Sequence, residues 1–269
     1  MRLEVAQFLS LPGDPAKANE DAFGHSETAA VVIDGATPLG EGLMPGPSDA
    51  AWIAQFGARR LMAHLQGGDG ARKALRATLA DTQKSFEALR RHAPEEMWQT
   101  PCASMMLVVP SATGIEFLWF GDCAALVKQG DAAVTVVGET FDKRAAEAQA
   151  AQALGKEKNL SPAAGLSRQE FIGTLRRRRN RINSGNSWLF SPDVKAAAHA
   201  SRRVMKAASH LLLATDGFLA LASDYGAYSA DSLMAAVLDK GLVALGEELR
   251  AIEADDADGD KFPRFKKSD

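Results

Sequence analysis

Two short apolar segments of the sequence each end in an aspartate followed by a glycine. Residues 29–40 read AAVVIDGATPLG and residues 210–217 read HLLLATDG. The β-branched run before Asp34 favours a buried strand, and a carboxylate at the end of such a strand costs free energy unless it is paired or binds a cation. One Asp-Gly pair is also ordinary turn chemistry. Because the element occurs twice, Asp34 and Asp216 predict a metal site.

Two further acidic positions have a similar setting. Glu20 and Asp21 precede a predicted strand, and neighbouring strand residues point to opposite faces. One of them could therefore serve a cation while the other orients a water or a backbone group; a solvated loop is the alternative. Asp122 follows the predicted strand 115–120 and sits between Gly121 and Cys123.

The ligand types indicate which metal to expect. Carboxylates without a histidine or cysteine in ligand-like spacing predict Mg²⁺ or Mn²⁺ rather than zinc. Two such ions can share one water, lower its pKa and stabilise both oxygens of an in-line displacement. This chemistry suits the hydrolysis of a phosphate ester.

Length and composition exclude several classes of protein. The 269 residues are 46% hydrophobic and 24% charged, with a net charge of -3, so nucleic acid or an anionic membrane is not the expected partner. The sequence has no run of about 18 apolar residues, so we expect no membrane span. The apolar stretch at the N-terminus is too short and too polar for a secretion signal. The unpaired spacing of Cys102 and Cys123 favours free thiols in a reducing compartment. We expect a cytoplasmic monomer.

The order of the predicted elements indicates the fold class. No repeat or linker marks a boundary, so we predict one domain over residues 1–269. Clustered antiparallel strands with helices outside them predict a layered α+β sandwich. Residues 2–9 alternate loosely and are compatible with an edge strand. The predicted helices cover residues 48–65, 69–92, 229–239 and 241–253, with further helical stretches near 142–154 and 167–181.

An arginine-rich run at residues 176–181, RRRRNR, is the strongest local charge feature. It has three interpretations: a solvated helix face, a surface that steers phosphorylated protein, or a nucleic-acid surface. The nucleic-acid interpretation lacks support, because the run has neither interleaved aromatic residues nor the residue spacing of a zinc finger.

Four sequence blocks resemble one known family. They are NEDAF at 19–23, VVIDG at 31–35, LWFGDCAALV at 118–127 and LLLATDGF at 211–218. In this order they resemble the metal-dependent protein phosphatases of type 2C, a family of serine/threonine phosphatases. The resemblance implies a four-layer α/β/β/α sandwich, two antiparallel sheets flanked by helices, with a binuclear Mn²⁺ or Mg²⁺ centre between them. It also implies that residues 140–182, approximately, form the family's variable helical flap.

The resemblance assigns roles to the acidic residues. Asp34 would bridge both ions, and the Gly35 carbonyl would bind one of them. Glu20 would serve one ion, largely through waters, and Asp21 would lie behind it. Asp216 would bind the other ion.

The remaining positions include both matches and departures. Asp122 resembles an acid that helps to hold a third, weaker ion in some bacterial members, and Asp269 is the candidate for the metal-binding acid that opens the family's last strand. The family's phosphate-binding arginine is Ala16 here, with Lys17 beside it as the candidate phosphate ligand. The histidine of the family's Asp-Gly-His, a proposed general acid, is Ala36.

The resemblance implies hydrolysis of phosphoserine and phosphothreonine in proteins by a metal-activated water, with phosphorylated protein as the partner. The departures keep a second function open, a pseudophosphatase that binds phosphoprotein or another partner without turnover. A hydrolase of small phosphate esters on the same fold is a third alternative.

Overall fold

The computed structural model describes residues 1–138, 169–206, 208–256 and 261–262. The predicted helix near 142–154, most of the predicted flap and Asp269 lie outside these residues. The strands are β1 (Asp21–Ser26), β2 (Ala29–Gly35), β3 (Ala103–Ser111), β4 (Gly114–Phe120), β5 (Ala124–Lys128), β6 (Thr135–Gly138), β7 (Ser201–Met205) and β8 (His210–Ala214).

The helices follow the predicted pattern closely where the structure describes them. The helix expected at 167–181 is present as α3 within the described residues. No described helix is both long and apolar enough to cross a membrane. The helices are α1 (Asp49–Gln66), α2 (Ala71–Leu89), α3 (Gln169–Arg179), α4 (Asp216–Ser223) and α5 (Ala230–Asp255), with short 3₁₀ helices at Met97–Gln99 and Val194–His199.

The strands form two antiparallel sheets. One has five strands in the order β1-β2-β3-β4-β7, and the other has three in the order β6-β5-β8. Alternation along β2 explains the layering: Val31 and Ile33 are buried against α1 and α2, whereas Val32 packs into the layer between the sheets. The other face of the three-stranded sheet packs on α4 and α5. The predicted four-layer α/β/β/α sandwich is confirmed.

The N-terminal segment departs from its prediction, because no strand is assigned to residues 2–9. The Gln7 side chain instead accepts a hydrogen bond at 2.8 Å from the Leu242 N–H, which follows a non-helical residue, Gly241, with φ of 84° inside α5. A side chain at an interrupted helical ladder satisfies a donor that the helix cannot. The segment is thus held by this side-chain contact and by a backbone hydrogen bond from the Leu3 N–H to the Glu27 carbonyl at 2.8 Å, without forming a strand.

Candidate metal centre

Three carboxylates meet between the sheets. Asp34, Asp122 and Asp216 each offer an oxygen, and these oxygens all lie within 4.8 Å of one another. All three residues are half-buried. We call this group the acidic trio.

The register of the sheets explains why residues so far apart in sequence meet. In the three-stranded sheet Ala124 pairs with Ala214, so Asp122 and Asp216 extend two residues beyond that pair at the same end of the two strands. In the five-stranded sheet Asp34 alternates with Ile33 and therefore points into the layer between the sheets. The trio is therefore formed at the ends of two strands of the three-stranded sheet and at the end of one strand of the five-stranded sheet.

Two glycines permit close approach of the backbone next to the acids. A Cβ on Gly35 would lie 2.3 Å from the Ala50 carbonyl oxygen, and one on Gly121 would lie 2.2 Å from Ser104 Oγ. Gly121 also has a φ of 64°, which strongly favours glycine. A side chain at either position would displace α1 or β3 from the site.

Hydroxyl groups hold two of the acids in place. Ser104 lies opposite Asp34 in the β2–β3 register and donates to Asp122 Oδ1 at 2.5 Å. Thr215 donates to Asp21 Oδ2 at 2.8 Å. Each bond ties an acid on one segment of the chain to a hydroxyl on another, so the acids are oriented by the fold.

Glu20 has a different environment, outside the acidic trio. Its Oε2 accepts a hydrogen bond from Thr37 Oγ1 and its Oε1 accepts one from Ser48 Oγ, both at 2.5 Å. Ser48 is also the N-cap of α1 and accepts from the Ala50 N–H. We call Glu20, Thr37 and Ser48 the Glu20 corner; it is joined to β2 because the Gly35 N–H donates to the Glu20 carbonyl at 3.0 Å.

The thiol of Cys123 reports the electrostatics of the site. Burial raises the pKa of this thiol well above its usual value, and the negative charges of Asp34, Asp122, Asp21 and Asp216 raise it further. The thiol therefore stays protonated and is no candidate nucleophile. These four carboxylates therefore surround one buried thiol and concentrate negative charge at the site.

The donor set fits a hard divalent cation. Ligands on opposite sides of Mg²⁺ are about 4.2 Å apart, given bonds of about 2.1 Å, so oxygens within 4.8 Å of one another need little movement to share an ion. Without a cation, two carboxylates about 5 Å apart repel by roughly 3 kcal/mol at an effective dielectric constant of about 20. A bound cation replaces that repulsion by attraction.

Comparison with known proteins agrees with this geometry. The family model described as Protein phosphatase 2C matches residues 16–250. The chain belongs to the protein phosphatase 2C family. This is a family of metal-dependent protein phosphatases, and the match spans the trio and the Glu20 corner.

Solved structures of the same fold include two bacterial phosphatases. One described as a bacterial serine phosphatase is 12% identical, with a TM-score of 0.54 over 94% of this chain and 92% of that chain. Serine/threonine phosphatase Stp1 from Staphylococcus aureus is 14% identical, with a TM-score of 0.51 over 96% and 93% of the two chains. No curated protein sequence matches the chain. At these identities the structures support the fold.

The other predicted site residues lie in less constrained positions. Lys17 is on the loop before β1, with its side chain 78% exposed and 3.5 Å from Asp14. Ala36 follows β2, and its N–H donates to the Cys102 carbonyl at 2.9 Å. Asp269 is outside the described residues, so its predicted role as a metal ligand stays a prediction.

Sequence reasoning missed the hydroxyl groups that hold the acids. They are Thr37, Ser48, Ser104 and Thr215. Thr215 precedes Asp216 but donates to Asp21, so its position in the sequence does not reveal this bond. The other three become visible only through the strand register or the loop conformation.

Proposed function

We propose that this protein is a metal-dependent phosphatase that hydrolyses phosphoserine or phosphothreonine in proteins. The observation that carries the proposal is the acidic trio, in which carboxylates from both sheets meet within 4.8 Å. The membership of this chain in the protein phosphatase 2C family supports the same class of reaction.

The residues divide the work as follows. Asp34 and Asp216 would hold two ions, with the Gly35 carbonyl on one of them; Asp122 would serve a third, weaker ion. Glu20 would act on one ion largely through waters, with Asp21 behind it. Bound Mn²⁺ or Mg²⁺ would lower the pKa of a water and neutralise charge on the phosphoryl oxygens.

Among the described residues, Lys17 is the candidate cation for substrate binding. Lys17 is highly exposed, so it can reach a phosphate at the surface, but its ammonium lacks the planar two-point geometry of an arginine. We expect a modest contribution to phosphate affinity from this side chain.

The test is phosphate release from a phosphothreonine peptide while Mn²⁺ is titrated in and then removed with a chelator. The proposal predicts turnover that rises with Mn²⁺ and stops on chelation. Chelator-insensitive turnover, or none at millimolar Mn²⁺, would contradict it. A matched assay with p-nitrophenyl phosphate separates a hydrolase of small esters, which would prefer that substrate to the peptide.

A second candidate is a pseudophosphatase that binds phosphoprotein without turnover. It is favoured by Ala16 and Ala36, which stand where relatives have an arginine and a proposed general acid, since a general acid typically contributes about 10²–10⁴-fold. Saturable binding of the phosphopeptide without phosphate release would support it. Residence in the cytoplasm stays a prediction for either function.

A further inference from the structure

The arginine run of α3 divides into two kinds of side chain. Arg176 and Arg179 are half-buried, whereas Arg177 and Arg178 between them are exposed. Residues three apart on a helix share a face, so the two half-buried arginines point the same way. The interpretation of this run as a solvated face is therefore wrong for Arg176 and Arg179.

Arg176 attaches α3 to the loop that follows β2. Its Nε and Nη2 both donate to the Leu39 carbonyl oxygen, at 3.0 and 2.6 Å. Its guanidinium also lies over the Trp98 ring, 4.0 Å from the centroid. A Cβ on Gly40 would come within 3.0 Å of both side chains, so Arg176 and Trp98 pack closely against the backbone of this loop.

Arg179 contacts a residue that also contacts Glu20. Its Nη1 donates to the Thr37 carbonyl oxygen at 2.8 Å. The hydroxyl of the same Thr37 donates to Glu20 Oε2 at 2.5 Å. One residue thus joins α3 to the carboxylate of Glu20.

We propose that Arg176 and Arg179 are positioning residues for the metal centre: by fixing residues 37–39 they hold the Thr37 hydroxyl against Glu20, so that docking of α3 raises metal affinity. The inference rests on the proposed function, in which Glu20 serves a metal ion. It extends that function, because it links a helix far away in sequence to the ligand set.

The physical reason is the orientation of a ligand by its neighbours. A carboxylate held by hydrogen bonds loses less rotational freedom on binding an ion, and partners of this kind typically contribute about 10- to 100-fold to metal affinity. Residues 37–47 are rich in glycine and proline and have no helix or strand. This loop therefore needs external contacts to keep Thr37 in one place.

The test measures the Kd of Mn²⁺ by calorimetry for the full chain and four variants. Thr37→Val removes the hydroxyl and is expected to weaken Mn²⁺ binding about 10-fold, while Thr37→Ser keeps the hydroxyl and should bind like wild type. Arg179→Ala is expected to weaken binding several-fold. Arg177→Ala is the matched control, because this exposed arginine donates to Thr174 of its own helix, and it should leave Kd unchanged.

The outcomes separate the inference from the proposed function. If wild type binds no Mn²⁺, the proposed function fails. If wild type binds Mn²⁺ and the Thr37→Val and Arg179→Ala variants match it, the positioning role alone is overturned. Should Arg179→Ala fail to fold, the comparison of Thr37→Val with Thr37→Ser decides, since equal Kd values in that pair overturn the inference.

Discussion

The acidic trio and the Glu20 corner lie at the same end of β2 and hold their carboxylates in opposite ways. In the trio, three like charges converge within 4.8 Å, a placement that costs free energy without a cation. In the corner, both oxygens of Glu20 accept hydrogen bonds from hydroxyls at 2.5 Å. The trio supplies the charge, and the corner supplies an oriented carboxylate beside it.

This difference indicates how the two regions should respond to change. Asp34 and Asp216 of the trio are expected to control whether the two tightly held ions bind at all, because no neutral side chain can replace their charge. A residue of the corner is expected to adjust affinity, because a water can take over part of the role of each hydroxyl. Graded substitutions should therefore separate the regions.

The largest effect is expected for Asp34→Asn. Loss of a trio ligand should reduce Mn²⁺-dependent turnover by more than about 100-fold, since even groups behind a ligand contribute about 10- to 100-fold. The variant also removes like-charge repulsion, so its melting temperature without metal should equal or exceed that of wild type. Thermal scans with and without Mn²⁺ check both effects; a lower melting temperature without metal would show that Asp34 is mainly structural.

Glu20→Gln should have a smaller effect, because the amide still fills the corner. We expect Mn²⁺ affinity to fall by about 10-fold while some turnover survives at high Mn²⁺. Titration of activity against Mn²⁺ measures this. A loss as complete as that of Asp34→Asn would erase the distinction between the two regions.

Ser104→Ala tests the hydroxyl behind the trio. Its Oγ donates to Asp122 at 2.5 Å, and we propose that Asp122 serves a third, weaker ion. Affinity for the last ion should therefore fall while the tighter sites are retained. Calorimetric titration resolves the classes of site, and weakening of all of them would move Asp122 into the main ligand set.

Lys17→Ala should have the smallest effect. The side chain is 78% exposed, and an interaction of one exposed charge contributes about 0.2–1 kcal/mol, or roughly 1.4- to 5-fold in affinity. We expect KM for the phosphopeptide to rise by that factor with kcat nearly unchanged. A fall in kcat with constant KM would place Lys17 in the chemical step instead.

Sequence patterns predicted those parts of the fold that bury an apolar face. The strands ending at Asp34 and Asp216 were visible because β-branched or leucine-rich runs stop at an acid. β7 was missed because four of its five residues are exposed, which leaves no alternation to detect. The edge strand considered for residues 2–9 is absent. The Gln7 side chain instead contacts the Leu242 N–H, and this contact depends on an interruption in a helix that is distant in sequence.

The candidate site was predictable to a similar extent. The acids of the trio lie at or just beyond strand ends and were named from sequence, whereas the corner joins Glu20 to residues 17 and 28 positions away through a loop with no periodic pattern. The docking of Arg179 on Thr37 spans 142 positions. Such contacts follow from the tertiary arrangement of α3 and cannot be read from a local run of arginines.

The central claim, that the acidic trio is a metal centre, is tested most directly by counting bound Mn²⁺. Electron paramagnetic resonance of free Mn²⁺ at equilibrium gives the number of ions bound by wild type and by Asp34→Asn. The account predicts at least two bound ions per chain for wild type and loss of both tight sites in the variant. Equal binding by the two proteins, or none by wild type at millimolar Mn²⁺, would contradict it.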